Sequence, residues 1–139
     1  MIFQSSAAIT ASAATQDDTQ IAVSGETLTY GDYEYEVNDN NTITLTKYIQ
    51  SSTEFTVPSE IDGKPVTKIG QNAFAKTDVR TIALPDSVTT IDSGAFSNCK
   101  SLSGVTLPKE LTTLGKDVFG NCTSLKEVTI PKTLTIASE

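Results

Sequence analysis

Residues 98–108 read NCKSLSGVTLP, and residues 121–131 read NCTSLKEVTIP. The two stretches lie 23 positions apart and agree at all but four positions. A catalytic motif rarely needs a duplicate at a fixed spacing, whereas a structural unit that stacks on itself does. The duplication therefore predicts a fold built from repeated, stacked units.

The prolines mark the repeat along the chain. Pro85, Pro108 and Pro131 are 23 residues apart, and Pro58 precedes Pro85 by 27. The extra residues of that first interval fall in SEIDGKP (59–65), which reads as a turn-like insertion. Apolar residues at alternate positions precede each proline, as expected for a short strand that stops there. The pairs are Phe55/Val57, Ile82/Leu84, Val105/Leu107 and Val128/Ile130.

A second short apolar run follows each proline, and a tight turn ending in phenylalanine follows the run. The runs are VTKI, VTTI, LTTL and LTI, and the turns are GQNAF, DSGAF and GKDVF. Two columns of these turns contain only glycine, asparagine and aspartate, the residue types that tolerate left-handed backbone, so we predict that both columns are turn positions. The columns are Gly70/Asp92/Gly115 and Asn72/Gly94/Asp117. We expect Phe74, Phe96 and Phe119 to stack in the interior, each followed by a short helical turn.

The repeat unit has a specific pattern. Leu102-x-x-Val105-x-Leu107 matches the core of leucine-rich repeats, whose periods include 23 residues. The fuller pattern, C-x-S-L-x-x-V-T-[LI]-P followed by L-T and G-x-x-[AV]-F, resembles the BspA-like family of bacterial leucine-rich-repeat proteins over residues 55–136. The first copy departs from the pattern through its insertion and through Thr77 in place of cysteine, and the second copy is one residue short.

We therefore predict a mainly β fold with short helical turns: a leucine-rich-repeat solenoid of about three and a half turns with an N-terminal β-hairpin cap. The solenoid occupies residues 55–139 and is expected to continue in a longer protein. The cap occupies residues 28–54, where YEYEVNDNNTITL (33–45) alternates apolar and polar residues around a turn. Residues 1–27 are left out of the fold as an export-signal remnant, suggested by Ala-Ser-Ala at 11–13, or as a flexible leader.

Composition excludes several classes of function. The net charge is −7, which argues against nucleic-acid binding. The charge is uneven, because residues 1–62 hold ten acidic residues and one basic residue, whereas residues 63–139 hold seven acidic and nine basic residues. There is no histidine, the commonest general base and metal ligand, so we expect no enzyme activity, no metal and no cofactor. No apolar run approaches the ~20 residues of a membrane helix.

The two cysteines, Cys99 and Cys122, occupy equivalent positions in adjacent copies. That placement is compatible with a disulfide. The alternative, which we favour, is a pair of buried free thiols that contribute small apolar volume.

The exposed strand positions are the remaining candidates for function. One column is Thr56, Ala83, Thr106 and Thr129, and the other is Thr67, Thr89, Thr112 and Thr135. Threonine suits exposed strand positions, so these columns need no function to explain them. The alternative is a binding face formed by residues that break the repeat symmetry. The candidate partner-binding residues are Arg80, Thr81, Thr106, Lys126, Glu127 and Thr129.

The resemblance to BspA-like proteins implies a secreted or cell-surface bacterial protein that acts as a non-catalytic protein-interaction or adhesion module. Its partner would be an extracellular protein or polysaccharide. Two alternatives remain: a structural spacer that presents another domain, and an accessory, non-catalytic piece of a secreted hydrolase. We expect a monomer, or weak association through an uncapped C-terminal edge.

Overall fold

The computed structural model describes residues 26–50 and 52–136. The predicted leader lies almost entirely outside these residues. Within them the chain forms strands and turns and no helix, and nothing is long and apolar enough to span a membrane as a helix. The strands are β1 (Thr27–Tyr30), β2 (Tyr33–Val37), β3 (Ile43–Tyr48), β4 (Glu54–Thr56), β5 (Glu60–Ile61), β6 (Lys64–Ile69), β7 (Thr81–Ala83), β8 (Thr90–Ile91), β9 (Gly104–Thr106), β10 (Thr113–Leu114) and β11 (Thr135–Ile136).

The described strands form two sheets, and each of the first three repeats contributes a strand to both. The small sheet has the order β9-β7-β4 and is parallel throughout. The large sheet has the order β11-β10-β8-β6-β3-β2-β1, with β5 beside the start of β6. In the large sheet, strands β3, β6, β8, β10 and β11 pair in parallel, as a solenoid requires. The pairings of β1 with β2 and of β2 with β3 are antiparallel. The fold is a leucine-rich-repeat solenoid, as predicted.

The prolines end the small-sheet strands. Strands β4, β7 and β9 each stop two residues before Pro58, Pro85 and Pro108. The chain then turns, as Val88 N–H donates to Pro85 O (3.1 Å) and Leu111 N–H donates to Pro108 O (3.2 Å). This turn carries the chain from the small sheet to the large one. The alternating apolar residues of the strands point into the space between the sheets, where Ile82 and Ile91 are fully buried.

A column of aromatic rings runs along the interior. Phe74 stacks on Phe96 with ring centroids 5.2 Å apart, and Phe96 stacks on Phe119 at 5.7 Å. The cap extends the column, because Tyr48 of β3 stacks on Phe74 at 5.2 Å. Phe55 packs beside both Tyr48 and Phe74. The predicted stacking of the three phenylalanines is confirmed.

The N-terminal cap is the predicted hairpin with one more strand. Tyr33, Tyr35 and Val37 share the buried face of β2, and Ile43 and Leu45 are buried beside them in β3. The turn closes where Asn38 N–H donates to Thr42 O at 2.8 Å. Strand β1, whose residues are mostly exposed, was not predicted from the sequence.

The cap joins the repeats through backbone pairing and through tyrosine hydroxyls. Strand β3 pairs with β6 in parallel and so presents a full strand to the first repeat. The Tyr33 hydroxyl donates to Thr56 O (3.4 Å) at the outer edge of β4. The Tyr35 hydroxyl donates to Asp62 Oδ2 (3.3 Å) in the insertion. The insertion itself forms a tight hairpin between β5 and β6, with Asp62 and Gly63 both at positive φ.

The two columns predicted as turn positions differ in backbone conformation. One column is left-handed and lies within the turns: Asn72 (φ 58°), Gly94 (φ 67°) and Asp117 (φ 52°). The other column directly precedes each turn, and at Gly70 a Cβ would lie only 2.8 Å from Leu45 O. A Cβ on Gly115 would lie closer still to a neighbouring backbone, 2.5 Å from Ser93 N.

The predicted helical turns, by contrast, are absent from the described residues, because a second left-handed residue interrupts each segment. These residues are Lys76 (φ 65°), Asn98 (φ 60°) and Asn121 (φ 59°). A residue with positive φ cannot continue a right-handed helix. The segments 71–76, 93–98 and 116–121 are therefore turns and not helices.

The fourth copy is only half formed. Its second run pairs with the third copy as β11, but residues 125–130 form no strand beside β9. Its register also differs from the predicted threonine column, because Thr135 pairs with Thr113 and not with Thr112. The run LTI is one residue shorter than LTTL, and this deletion shifts the pairing. The described solenoid thus has about three complete turns.

We predict that Phe96→Ala lowers the free energy of unfolding by about 3–5 kcal/mol, the usual cost of truncating a buried aromatic residue. Phe96 is fully buried with a ring on each side. Phe119→Ala serves as the comparison and should cost less, because Phe119 is partly exposed. Urea denaturation measures both losses. A loss below about 1 kcal/mol for Phe96→Ala would contradict the stacked column.

Alkaline pH should destabilise the cap. Burial raises the pKa of the Tyr35 phenol, and the neighbouring Asp62 carboxylate raises it further. Burial and the charge of Asp32 likewise raise the pKa of Tyr33. Unfolded tyrosine ionises near pH 10, and the folded phenols ionise at higher pH. Their stabilising contribution is therefore complete below about pH 10 and is lost as the pH rises above it.

We expect Tyr35→Phe to reduce this loss, measured as the urea midpoint at a series of pH values from about 8 to 12. Tyr30→Phe is the matched control, since Tyr30 is exposed. Equal pH dependence in the wild-type protein and in Tyr35→Phe would show that this phenol does not link folding to pH.

Candidate interaction surface

Three of the six candidate residues lie together on the small sheet. Arg80, Thr81 and Thr106 are all exposed. Thr81 and Thr106 are in β7 and β9, and Arg80 directly precedes β7. The backbone of Arg80 holds β9 in place, since its carbonyl accepts hydrogen bonds from Ser103 N–H (2.9 Å) and Gly104 N–H (3.2 Å). The backbone is thus committed to the sheet, while the side chains face solvent.

The register of the small sheet orders its outer face into two rows. Glu54, Thr81 and Gly104 are aligned in one row, and Thr56, Ala83 and Thr106 are aligned in the other. The second row is the column predicted from the sequence. The first row adds Glu54, which was not among the predicted residues. Glu54 and Thr56 flank Phe55, so the alternation of the strand places both on the outer face. The face combines small residues with one acidic and one basic side chain.

The other three candidates are exposed but not on the sheet. Lys126, Glu127 and Thr129 fall in residues 125–130, which form no strand. The repeat spacing would align them with Ser103, Gly104 and Thr106 of the third copy. The structure therefore places the six predicted residues in two groups, one on a formed sheet and one on the segment that follows it.

The threonine column of the large sheet serves the backbone. Thr89 Oγ1 donates to Thr67 O (3.4 Å), and Thr112 Oγ1 donates to Thr89 O (3.1 Å). The neighbouring Lys68 forms an ion pair with Asp92 at 3.0 Å. Hydroxyls that already donate to the main chain have less capacity for a partner. These contacts favour the small sheet as the candidate surface.

The two cysteines form part of a structural ladder. Cys99 Sγ donates to Phe74 O, and Cys122 Sγ donates to Phe96 O, both at 3.0 Å. Each thiol thus bonds to the phenylalanine carbonyl of the preceding copy. Thr77 takes the cysteine position in the first copy and donates to Phe74 O (2.8 Å) within its own turn. Both cysteines are free and buried, as favoured from the sequence.

The described residues offer little for acid–base or metal chemistry. Within them no cluster of three or more histidine, cysteine, aspartate or glutamate side chains is placed to hold a metal ion. The tyrosines with raised pKa values, Tyr33 and Tyr35, are buried parts of the cap. Burial also raises the pKa of Cys122, which makes its thiolate less accessible at neutral pH.

The sequence matches the BspA type leucine rich repeat region, with six copies between residues 47 and 139. The chain therefore belongs to this family of repeat proteins. A search of curated proteins found no significant match.

Several solved structures share the fold. A leucine-rich repeat protein from Bacteroides capillosus is 36% identical with a TM-score of 0.75, over 80% of this chain and 87% of that chain. The T. pallidum leucine-rich repeat protein is 28% identical with a TM-score of 0.75, over 80% of this chain and 53% of that chain. A leucine rich cell surface protein from Faecalibacterium prausnitzii is 33% identical with a TM-score of 0.74, over 82% of this chain. The present chain spans about half of the T. pallidum protein and 33% of the Faecalibacterium protein.

We predict that both thiols react slowly in the folded protein and that two thiols become available in denaturant. The thiolate is the reactive form, and both sulfur atoms are buried and bonded to carbonyls. Labelling with a thiol reagent under non-reducing conditions, before and after unfolding, counts them. Finding no thiol in denaturant would mean that Cys99 and Cys122 are bridged by a disulfide.

Proposed function

We propose that this chain is a non-catalytic recognition module of a secreted or cell-surface protein, and that it binds an extracellular protein or polysaccharide. The observation that supports this most directly is the outer face of the small sheet. Its side chains are exposed and are not needed for the core or the turns, so they are free to differ between repeats. Membership of the BspA type repeat family supports a repeat module without an active site.

The proposed location rests on similarity. The Faecalibacterium protein is described as a cell surface protein, and this chain is 33% identical to it. The sequence Ala-Ser-Ala at 11–13 is compatible with export. Because the chain spans only part of that relative, the activity of a longer protein remains part of the proposal.

The shape and chemistry of the face define the kind of partner. Thr56, Ala83, Gly104 and Thr106 leave it low in relief, with Glu54 and Arg80 as the charged groups beside them. Such a surface suits a broad, polar contact of modest affinity rather than an enclosed small-molecule site. Several copies of the module in a longer protein would raise the overall affinity.

The test uses a panel of purified extracellular-matrix proteins and of acidic and neutral polysaccharides, probed with the immobilised chain by biolayer interferometry. We expect at least one ligand class to bind, and we expect Arg80→Glu and Thr106→Arg each to weaken that binding by roughly tenfold. Lys100→Glu and Thr113→Arg are matched controls, because both residues are exposed and lie off the small sheet.

Equal loss in the control variants would place the contact elsewhere on the molecule. Absence of binding to every ligand class would contradict a recognition role. That result would favour the spacer, or the accessory piece of a hydrolase, as the function. Thermal unfolding of each variant by circular dichroism shows whether the fold is retained.

A further inference from the structure

Residues 125–130, which we call the strap, are a copy of the small-sheet strand that pairs with no other strand among the described residues. Leu125-Lys126-Glu127-Val128-Thr129-Ile130 repeats the pattern that forms β9 one copy earlier. Ile130 is 47% exposed, whereas Leu84, its equivalent two copies earlier, is 6% exposed. The same pattern is thus paired and buried at β7 but open at the strap.

Both ends of the strap are fixed to the third copy. On one side, Leu125 N–H donates to Cys122 O (3.1 Å), and Cys122 Sγ donates to Phe96 O. On the other side, Thr133 Oγ1 donates to Leu111 O (2.6 Å), and β11 pairs with β10. A segment held at both ends loses little further entropy when its middle pairs, because its ends are already close to their final positions.

Closure of the strap onto β9 would repeat contacts that the small sheet already makes. Between β7 and β9, Gly104 N–H donates to Arg80 O and Leu84 N–H donates to Thr106 O. One copy further along, the equivalent bonds would run from Glu127 N–H to Ser103 O and from Leu107 N–H to Thr129 O. The evenly spaced ladder of a parallel pair would also join Thr129 N–H to Val105 O. Closure would bury Val128 beside Val105.

Burial explains why these contacts do not fix the strap in place. Leu125, at the start of the strap, is only partly buried, whereas Leu102, its equivalent one copy earlier, is fully buried. Pairing of the strap therefore has less support from core packing than the pairing of β9.

We propose that the strap is a conformational element that alternates between the open form and a fourth strand of the small sheet. In the closed form, Glu127 joins the row of Thr81 and Thr129 joins the row of Thr106. Closure thereby extends the candidate binding face by one strand. Its meaning for recognition rests on the proposed function: a partner that contacts both groups of residues binds the closed form and shifts the population toward it.

Amide hydrogen exchange of the free chain, followed by NMR, tests the closure itself. We expect the Leu107 and Thr129 amides to exchange more slowly than in an unstructured chain but faster than the amide of Ile82 in β7. Glu127→Thr raises strand preference and should slow both amides by roughly twofold to fivefold. Val128→Gly removes the side chain that closure buries and should accelerate both. Glu110→Thr, the same replacement at an exposed turn residue, is the control and should leave both unchanged.

Two results would overturn the proposal. If the Leu107 and Thr129 amides exchange as slowly as the Ile82 amide, the strap is a permanent strand. If they exchange as in an unstructured chain and neither Glu127→Thr nor Val128→Gly changes the rates, the strap does not close. The measurement needs no partner, so either result leaves the proposed binding by β4, β7 and β9 to be judged separately.

Discussion

The fold depends on the in-register stacking of successive copies, which places one aromatic ring of each copy on the ring of the copy before it. Tyr48, Phe74, Phe96 and Phe119 follow one another at 5.2, 5.2 and 5.7 Å. Such spacing arises because each copy pairs its strands with the previous copy at the distance set by backbone hydrogen bonds. Stacked rings bury a large apolar area and add a directional attraction of their own. A chain with 37% apolar residues and no tryptophan can thus form a continuous core.

Stacking leaves the first copy with an unpaired strand edge and an uncovered ring, and the N-terminal cap covers both. An exposed first copy would leave Phe74 and the edge of β6 open to solvent and to other chains. Strand β3 covers that edge by pairing with β6, and Tyr48 covers the ring of Phe74. Tyr33 reaches the small sheet and donates to Thr56 O. The change from parallel to antiparallel pairing at β3 lets the solenoid begin without another repeat.

The repeat period allowed most of the architecture to be predicted, because stacking copies the same contact at each turn. The proline-terminated strands, the aromatic column and the buried thiols recur with the repeat, at or close to a spacing of 23 residues, and were predicted from the sequence. Features without a repeat were harder to predict. Strand β1 has mostly exposed residues and shows little apolar alternation. The second left-handed position was missed because Lys76 is an unusual residue for that backbone.

The candidate site was predictable only in part, for a physical reason. Core positions are constrained by packing, whereas exposed positions of a solenoid tolerate most residue types, so their identity carries little information about a partner. Arg80, Thr81 and Thr106 lie on one face as the register requires. Lys126, Glu127 and Thr129 lie on the strap, which forms no strand although its sequence repeats the pattern of β9. A repeat pattern alone does not reveal that difference.

The central claim is that adjacent copies are energetically coupled through stacked rings, and a double-mutant cycle tests it most directly. The free energy of unfolding would be measured for Phe74→Leu, Phe96→Leu and the double variant, with the pair Phe74 and Phe119 as the non-adjacent reference. We predict a coupling of about 0.5–1.5 kcal/mol for the adjacent pair and about zero for the reference pair. Equal coupling in the two pairs, or none in either, would contradict the account.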